Sequence, residues 1–137
     1  MGDILGPVLW GAGISVAAII CAQRSGMAKE RSLMAAGLIA IASFYVVFAI
    51  QDGPLPGIVF NVFVAVFFGA LAVIGFDRSL WVVVAGLIGH GFFDLVYDLS
   101  GHSPAPDWWG IFCLVVDVIL GVALAVWIVR QDVKSHP

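Results

Sequence analysis

The chain has 137 residues, 62% of them hydrophobic and 11% charged, with a formal net charge of -3 and a mean hydropathy of +1.10. That balance lies far outside the range of soluble globular domains and marks a polytopic membrane protein. Membrane-length apolar stretches use almost the whole chain, which excludes a separate soluble catalytic domain, and six Lys and Arg against nine Asp and Glu offer no basic surface for nucleic acid.

The first apolar run predicts a helix over 4–22. Met1-Gly2-Asp3 ahead of it lacks the basic region of a secretory signal peptide, so this helix is expected to be retained. Gly6 stands where a myristoylation motif wants Ser or Thr, so lipidation at Gly2 is not expected. Gly13, Ala17 and Cys21, four apart, are expected to form a small-residue packing face. A second helix is predicted over 32–50 and a third over 54–76, divided by the turn Asp52-Gly53-Pro54 with Pro opening the new helix. Asp77-Arg78-Ser79 is a tight polar connection to a fourth helix over 79–99. The fifth, over 108–129, follows a loop with Gly101, Pro104 and Pro106, a rigid turn that places His102 and Asp107 above the last two helices.

With five spans, Arg24, Lys29, Arg31, Arg78, Arg130 and Lys134 all fall on one side. The positive-inside rule puts that side in the cytoplasm, with the N-terminus outside and the C-terminus inside. Trp81 and Trp127 are expected at the inner boundary and Trp108 and Trp109 at the outer one, where amphipathic rings sit. The expected fold is therefore all-α: one polytopic transmembrane bundle of five helices over 1–137, multi-pass in a bacterial inner (plasma) membrane with the lipid bilayer as partner. Its small-residue faces outnumber what five helices can hide, which predicts a homo-oligomer.

Five ionisable groups interrupt the last two helices. His90, Asp94 and Asp98 follow Gly86 at four-residue spacing and form one slowly drifting stripe; Cys113, Asp117, Gly121 and Ala125 form a second. Glycine and polar atoms together suit a helix–helix contact from which lipid is excluded. At about 1.5 Å per residue, Asp94 lies about 6 Å and His90 about 12 Å below Asp98, while Cys113 and Asp117 lie about 7 and 13 Å below Trp108. His90 and Asp117 are thus predicted to be level, with Asp98 at the rim. Asn61, about 10 Å below Pro54, and Tyr45 lie in the same outer half and can join the group. Cys21 and Cys113 differ in depth by about 18 Å, so they are not expected to pair.

An ionisable side chain at the bilayer centre costs at least ~2.5 to 3.5 kcal/mol, which makes such a cluster a functional-site hypothesis by default. Two ionised aspartates with one protonated His leave a net negative site, so either a carboxyl stays protonated or a cation is bound. The favoured reading is proton- or cation-linked transport or sensing through His90, Asp94 and Asp117 as acid–base or relay groups, with Asn61, Tyr45, Cys113 and Asp98 contacting the bound species. The alternative is a membrane enzyme using His and Asp as general acid and base on a lipophilic small molecule. A metal centre is weighed below both, because one His and one Cys at that depth are few for a soft-metal site, and neither a metal nor a cofactor is assigned. Simple interhelical hydrogen bonding, averaging ~0.6 kcal/mol per contact, is the plain structural explanation. Cavity shape separates the main readings: a cup open to the outside suits ions, and a slot open to the bilayer suits a lipid.

The segment HGFFDLVYDLSGHSPAPDWWGIFCLVVDVILG resembles a class of small bacterial integral-membrane proteins of uncharacterised function, in which a His-Gly-x-x-Asp helix precedes a Pro- or Trp-containing loop and a Cys-x-x-x-Asp helix. The matching positions are His90, Gly91, Asp94, Cys113 and Asp117, over the last third of the chain. The resemblance implies that these five belong together and lends them no activity. The glutamates of sterol-isomerase-like membrane proteins are absent; Glu30, in the inner loop, is the only Glu.

Overall fold

The computed structural model describes residues 3–137, without the side chain of Asp52; the expectation on Gly2 lies outside the described residues. The described chain forms five α-helices, α1 (Leu5–Ser25), α2 (Ser32–Asp52), α3 (Leu55–Asp77), α4 (Leu80–Leu99) and α5 (Trp109–Val129), with a 3-10 turn at Met27–Lys29 after α1. All five are long and apolar enough to cross a membrane. The predicted starts are each off by at most one residue, but α1 runs on past Ala22 to Ser25. Hydropathy reports contact with lipid, whereas a helix ends where the backbone turns. Gly26, at φ +82 with its N–H bonded to the Gln23 carbonyl, makes that turn in the left-handed region that glycine enters without steric cost.

α4 is the central element. It packs most extensively against α5 and also touches α3 and α2, while α2 packs on α3 and α1 packs on α5 from the outside. Buried area follows this order: α4 hides Leu80, Val83, Val84, Leu87, His90, Asp94 and Tyr97, and α1 hides only Gly11, Ser15 and Ala22. Two corrections arise here. The face that α1 presents to α5 is not Gly13–Ala17–Cys21: a side chain at Gly13 would meet nothing within 4 Å, and Ala17 and Cys21 are exposed. Small residues occur on several sides of α1, so spacing alone does not choose among them. Trp127 is not a boundary anchor either. Its side chain is 3% exposed within the core, whereas Trp81 is 45% exposed.

The basic end is tied together by the C-terminal tail. Gln131 enters the left-handed region at φ +63, which turns the tail back so that the Asp132 and Val133 N–H groups reach the Trp127 carbonyl. Leu80 N–H then donates to the Ser135 carbonyl at 2.8 Å, and His136 Nδ1 lies 2.8 Å from the Arg78 carbonyl. The Arg31 guanidinium donates to the carbonyls of Lys134 and Phe76 and lies 5.8 Å from the centre of the Phe76 ring. Planar, with several donors in a fixed fork, it can serve two carbonyls and a ring at once. These contacts gather the α1–α2 loop, the α3–α4 junction and the tail at one end of the bundle. Leu38, Ala72, Leu80, Val83, Leu87 and Leu124 fill the core between that end and the polar residues of α4.

Candidate functional site

The site begins with helical spacing. Residues four apart lie on one face of a helix about one turn apart, so α4 presents His90 and Asp94 together, and both are fully buried. α5 supplies Asp117, also fully buried. His90 Nδ1 lies 2.8 Å from Asp117 Oδ2 and 3.2 Å from Asp94 Oδ2. One imidazole nitrogen therefore stands between two carboxylates from two helices, and the three groups offer ligand atoms within 4.8 Å of one another. The predicted levelling of His90 and Asp117 is observed.

Close backbone approach lets so short a side chain as aspartate reach across. A Cβ built on Gly91 would lie 3.1 Å from the Asp117 Cβ and 3.4 Å from the Leu114 carbonyl oxygen. The expected spacer, Gly86, instead faces Leu38 of α2 and Leu71 of α3. Gly91 is the residue that brings α4 onto α5 at the level of the site.

Aromatic rings wall the cluster. Phe68 of α3 stands nearly perpendicular to the His90 ring at 4.7 Å, Phe93 lies at 6.0 Å, and Tyr45 of α2 lies at 6.3 Å. A further polar layer lies above. Asn61 Nδ2 donates to the Tyr97 hydroxyl at 3.1 Å and to the Gly57 carbonyl at 2.8 Å, and the Tyr97 ring is 5.3 Å from that of Tyr45. Tyr45 thus joins the cluster directly, and Asn61 joins it only through this layer. Tyr97 was not foreseen in the sequence. Its position three residues after Asp94, on the same helical face, is the signal that could have found it.

Several polar atoms here are buried without a hydrogen-bond partner: both oxygens of Asp94, Asp117 Oδ1, Asn61 Oδ1, the Tyr45 hydroxyl and His90 Nε2. Buried polar groups are ordinarily satisfied, and each exception requires a cause. The imbalance has a direction: two carboxylates offer only acceptor sites, while the imidazole nitrogen between them can offer one proton. Even with the Tyr45 hydroxyl counted, which is buried without a partner, carboxylate acceptors outnumber donors in the cluster.

The remaining expected residues lie near it. Cys113 is buried on α5 but falls outside the group of three ligand atoms, and neither Cys113 nor Cys21 is in a disulfide. Asp98 is half-exposed at the end of α4, where its carboxyl lies against Gly110 of α5. Asp98→Asn should therefore shift unfolding free energy by no more than about 0.5 kcal/mol, as for surface substitutions generally. Denaturant unfolding checks this, and a loss as large as that of Asp117→Asn would place the site nearer the rim.

The larger grooves lie elsewhere. One of 490 Å³ is lined by Trp10, Ile14, Trp108 and Phe112 among others, and another of 490 Å³ by Ala18, Cys21, Met34 and Leu120 among others. Neither is lined by His90, Asp94 or Asp117. Compared with known proteins, the chain matches no family model, no curated protein and no solved structure.

Proposed function

We propose that this chain is a multi-pass protein of a bacterial inner membrane whose His90–Asp94–Asp117 cluster takes up and releases a proton or small cation from the outer side, linked to transport or sensing. The observation that carries the proposal is the His90 nitrogen 2.8 and 3.2 Å from two buried carboxylates, one of which has both oxygens unpartnered. Orientation rests on the six basic residues, which by the positive-inside rule put the C-terminus in the cytoplasm and the N-terminus outside.

The surroundings of the cluster are asymmetric. The buried Tyr45, Asn61 and Tyr97 layer lies toward the end that carries loop 100–108, and the apolar core of Leu80, Val83, Leu87 and Leu38 lies toward the basic end. Polar groups on one side of the cluster and an apolar core on the other suit binding or sensing from the loop side, and they do not suit an open pore. The rings packed around His90 suit a small ion better than a lipid-sized substrate, which favours the cation reading over acid–base catalysis on a lipophilic molecule.

Infrared difference spectroscopy of the purified protein, titrated from about pH 4 to about pH 9 across the usual carboxyl and imidazole range, tests the proposal. Carboxyl and imidazole bands are expected to change together, and Asp94→Asn and Asp117→Asn should each remove part of the carboxyl signal. The proposal fails if these bands stay constant across the titration and also on addition of monovalent or divalent salts.

A further inference from the structure

Resting on the reading of the cluster as a cation site, we propose that its ligand is one divalent first-row transition-metal ion, held by His90 Nδ1 and by one oxygen each of Asp94 and Asp117. Geometry is the first argument. Ligand atoms about 2.0 to 2.2 Å from a tetrahedral ion are about 3.3 to 3.6 Å apart. The two His90 contacts measure 2.8 and 3.2 Å, so each need open by only a few tenths of an ångström around an ion, and the three ligand atoms already lie within 4.8 Å of one another. Both Asp94 oxygens and Asp117 Oδ1 are buried and unpartnered, which leaves either carboxylate free to offer one oxygen or two.

Charge is the second argument. Two carboxylates meet a single imidazole, and three of their four oxygens, both of Asp94 and Asp117 Oδ1, are buried without a partner, so the cluster is short of positive charge. A site of low dielectric tolerates little net charge, and one divalent ion offsets two carboxylates at once, whereas a monovalent ion offsets one.

The donor set then selects the metal class. Imidazole nitrogen with carboxylate oxygen suits ions from Mn2+ to Zn2+; Mg2+ and Ca2+ prefer oxygen donors, and soft Cu+ prefers sulfur. Cys113 lies outside the group, so sulfur does not take part.

Isothermal titration of metal-stripped, detergent-purified protein tests this. Zn2+ and Mn2+ are expected to bind one per chain and Mg2+ about 100-fold more weakly or less. Asp94→Asn and Asp117→Asn should each weaken Zn2+ binding about 100-fold or more, while the double variant His102→Ala, His136→Ala, lacking both exposed imidazoles, should bind as the wild type does. Should the aspartate variants misfold, the Co2+ spectrum of the wild type suffices: ligand-field bands without thiolate charge transfer are expected. Stoichiometric binding lost only in the surface-histidine variant, Mg2+ binding as tight as Zn2+, a thiolate band, or no binding would each overturn the inference. If no metal binds but the infrared bands respond to protons, only the metal is wrong; if neither occurs, the cation-site reading fails with it.

Discussion

Replacing His90 with alanine is expected to destabilise the protein by about 3–5 kcal/mol, the usual effect of removing one partner from a buried ionic pair. The imidazole alone stands between Asp94 and Asp117, and without it two buried carboxylates face each other across the α4–α5 contact. A neutral hydrogen bond between membrane helices averages only ~0.6 kcal/mol, with a maximum of ~1.7, so magnitude separates a charged site from simple glue. Because His90→Ala also opens a cavity, the pairwise contribution comes from a double-mutant cycle with Asp117→Ala, measured by denaturant unfolding in mixed micelles. A coupling energy above about 1.7 kcal/mol is expected. A value near 0.6 would assign the pair to holding the bundle together and remove the main support for a functional site.

Gly91→Leu is expected to have the second large effect, because it acts on the spacing that forms the site. Even a Cβ at this position comes within 3.1 Å of the Asp117 Cβ, and three further carbons have only the α5 backbone beyond. Overpacking of this kind typically costs about 1–3 kcal/mol. Here it also moves Asp117 away from the imidazole, so whatever the cluster binds should be lost along with stability. Gly89 provides the contrast. On the same helix, it faces open space with nothing within 4 Å of a built Cβ, so Gly89→Ala should be neutral or stabilising by up to about 1 kcal/mol through lower backbone entropy in the unfolded state. Equal losses at the two positions would mean that α4 and α5 do not meet at Gly91.

The residues that were legible in advance share one property: each depends on spacing along a single helix. His90 and Asp94 are four apart, and the depth of Asp117 follows from the rise per residue counted from Trp108. Those that were not legible depend on the rotation of one helix against another. Helical spacing pointed to Gly86 as the spacer, whereas Gly91 was marked only by the resemblance that groups it with His90 and Asp117; Gly86 faces α2 and α3, and it is Gly91 that faces α5. Likewise, Gly11 rather than Gly13 meets α5 from α1. In so apolar a chain, hydrophobic patterning does not mark the inward face, because outward-facing and core-facing side chains are alike in hydrophobicity. Phe68 was hidden for the same reason, as one of ten phenylalanines. The folding of the tail onto Leu80 and Arg78 depends on the backbone of Gln131 and has no compositional marker.

By itself, the sequence determined the number of helices, where each begins to within one residue and the spacing of the ionisable groups along them, because hydropathy and a rise of about 1.5 Å per residue are local properties of the chain. Only the tertiary structure decided that His90 bonds Asp117 while keeping Asp94 within 3.2 Å, that Gly91 makes this approach possible and that Cys113 stays outside the ligand group. Those outcomes depend on how side chains from different helices interdigitate, and such packing is a property of helix pairs that no single helix carries in its own pattern.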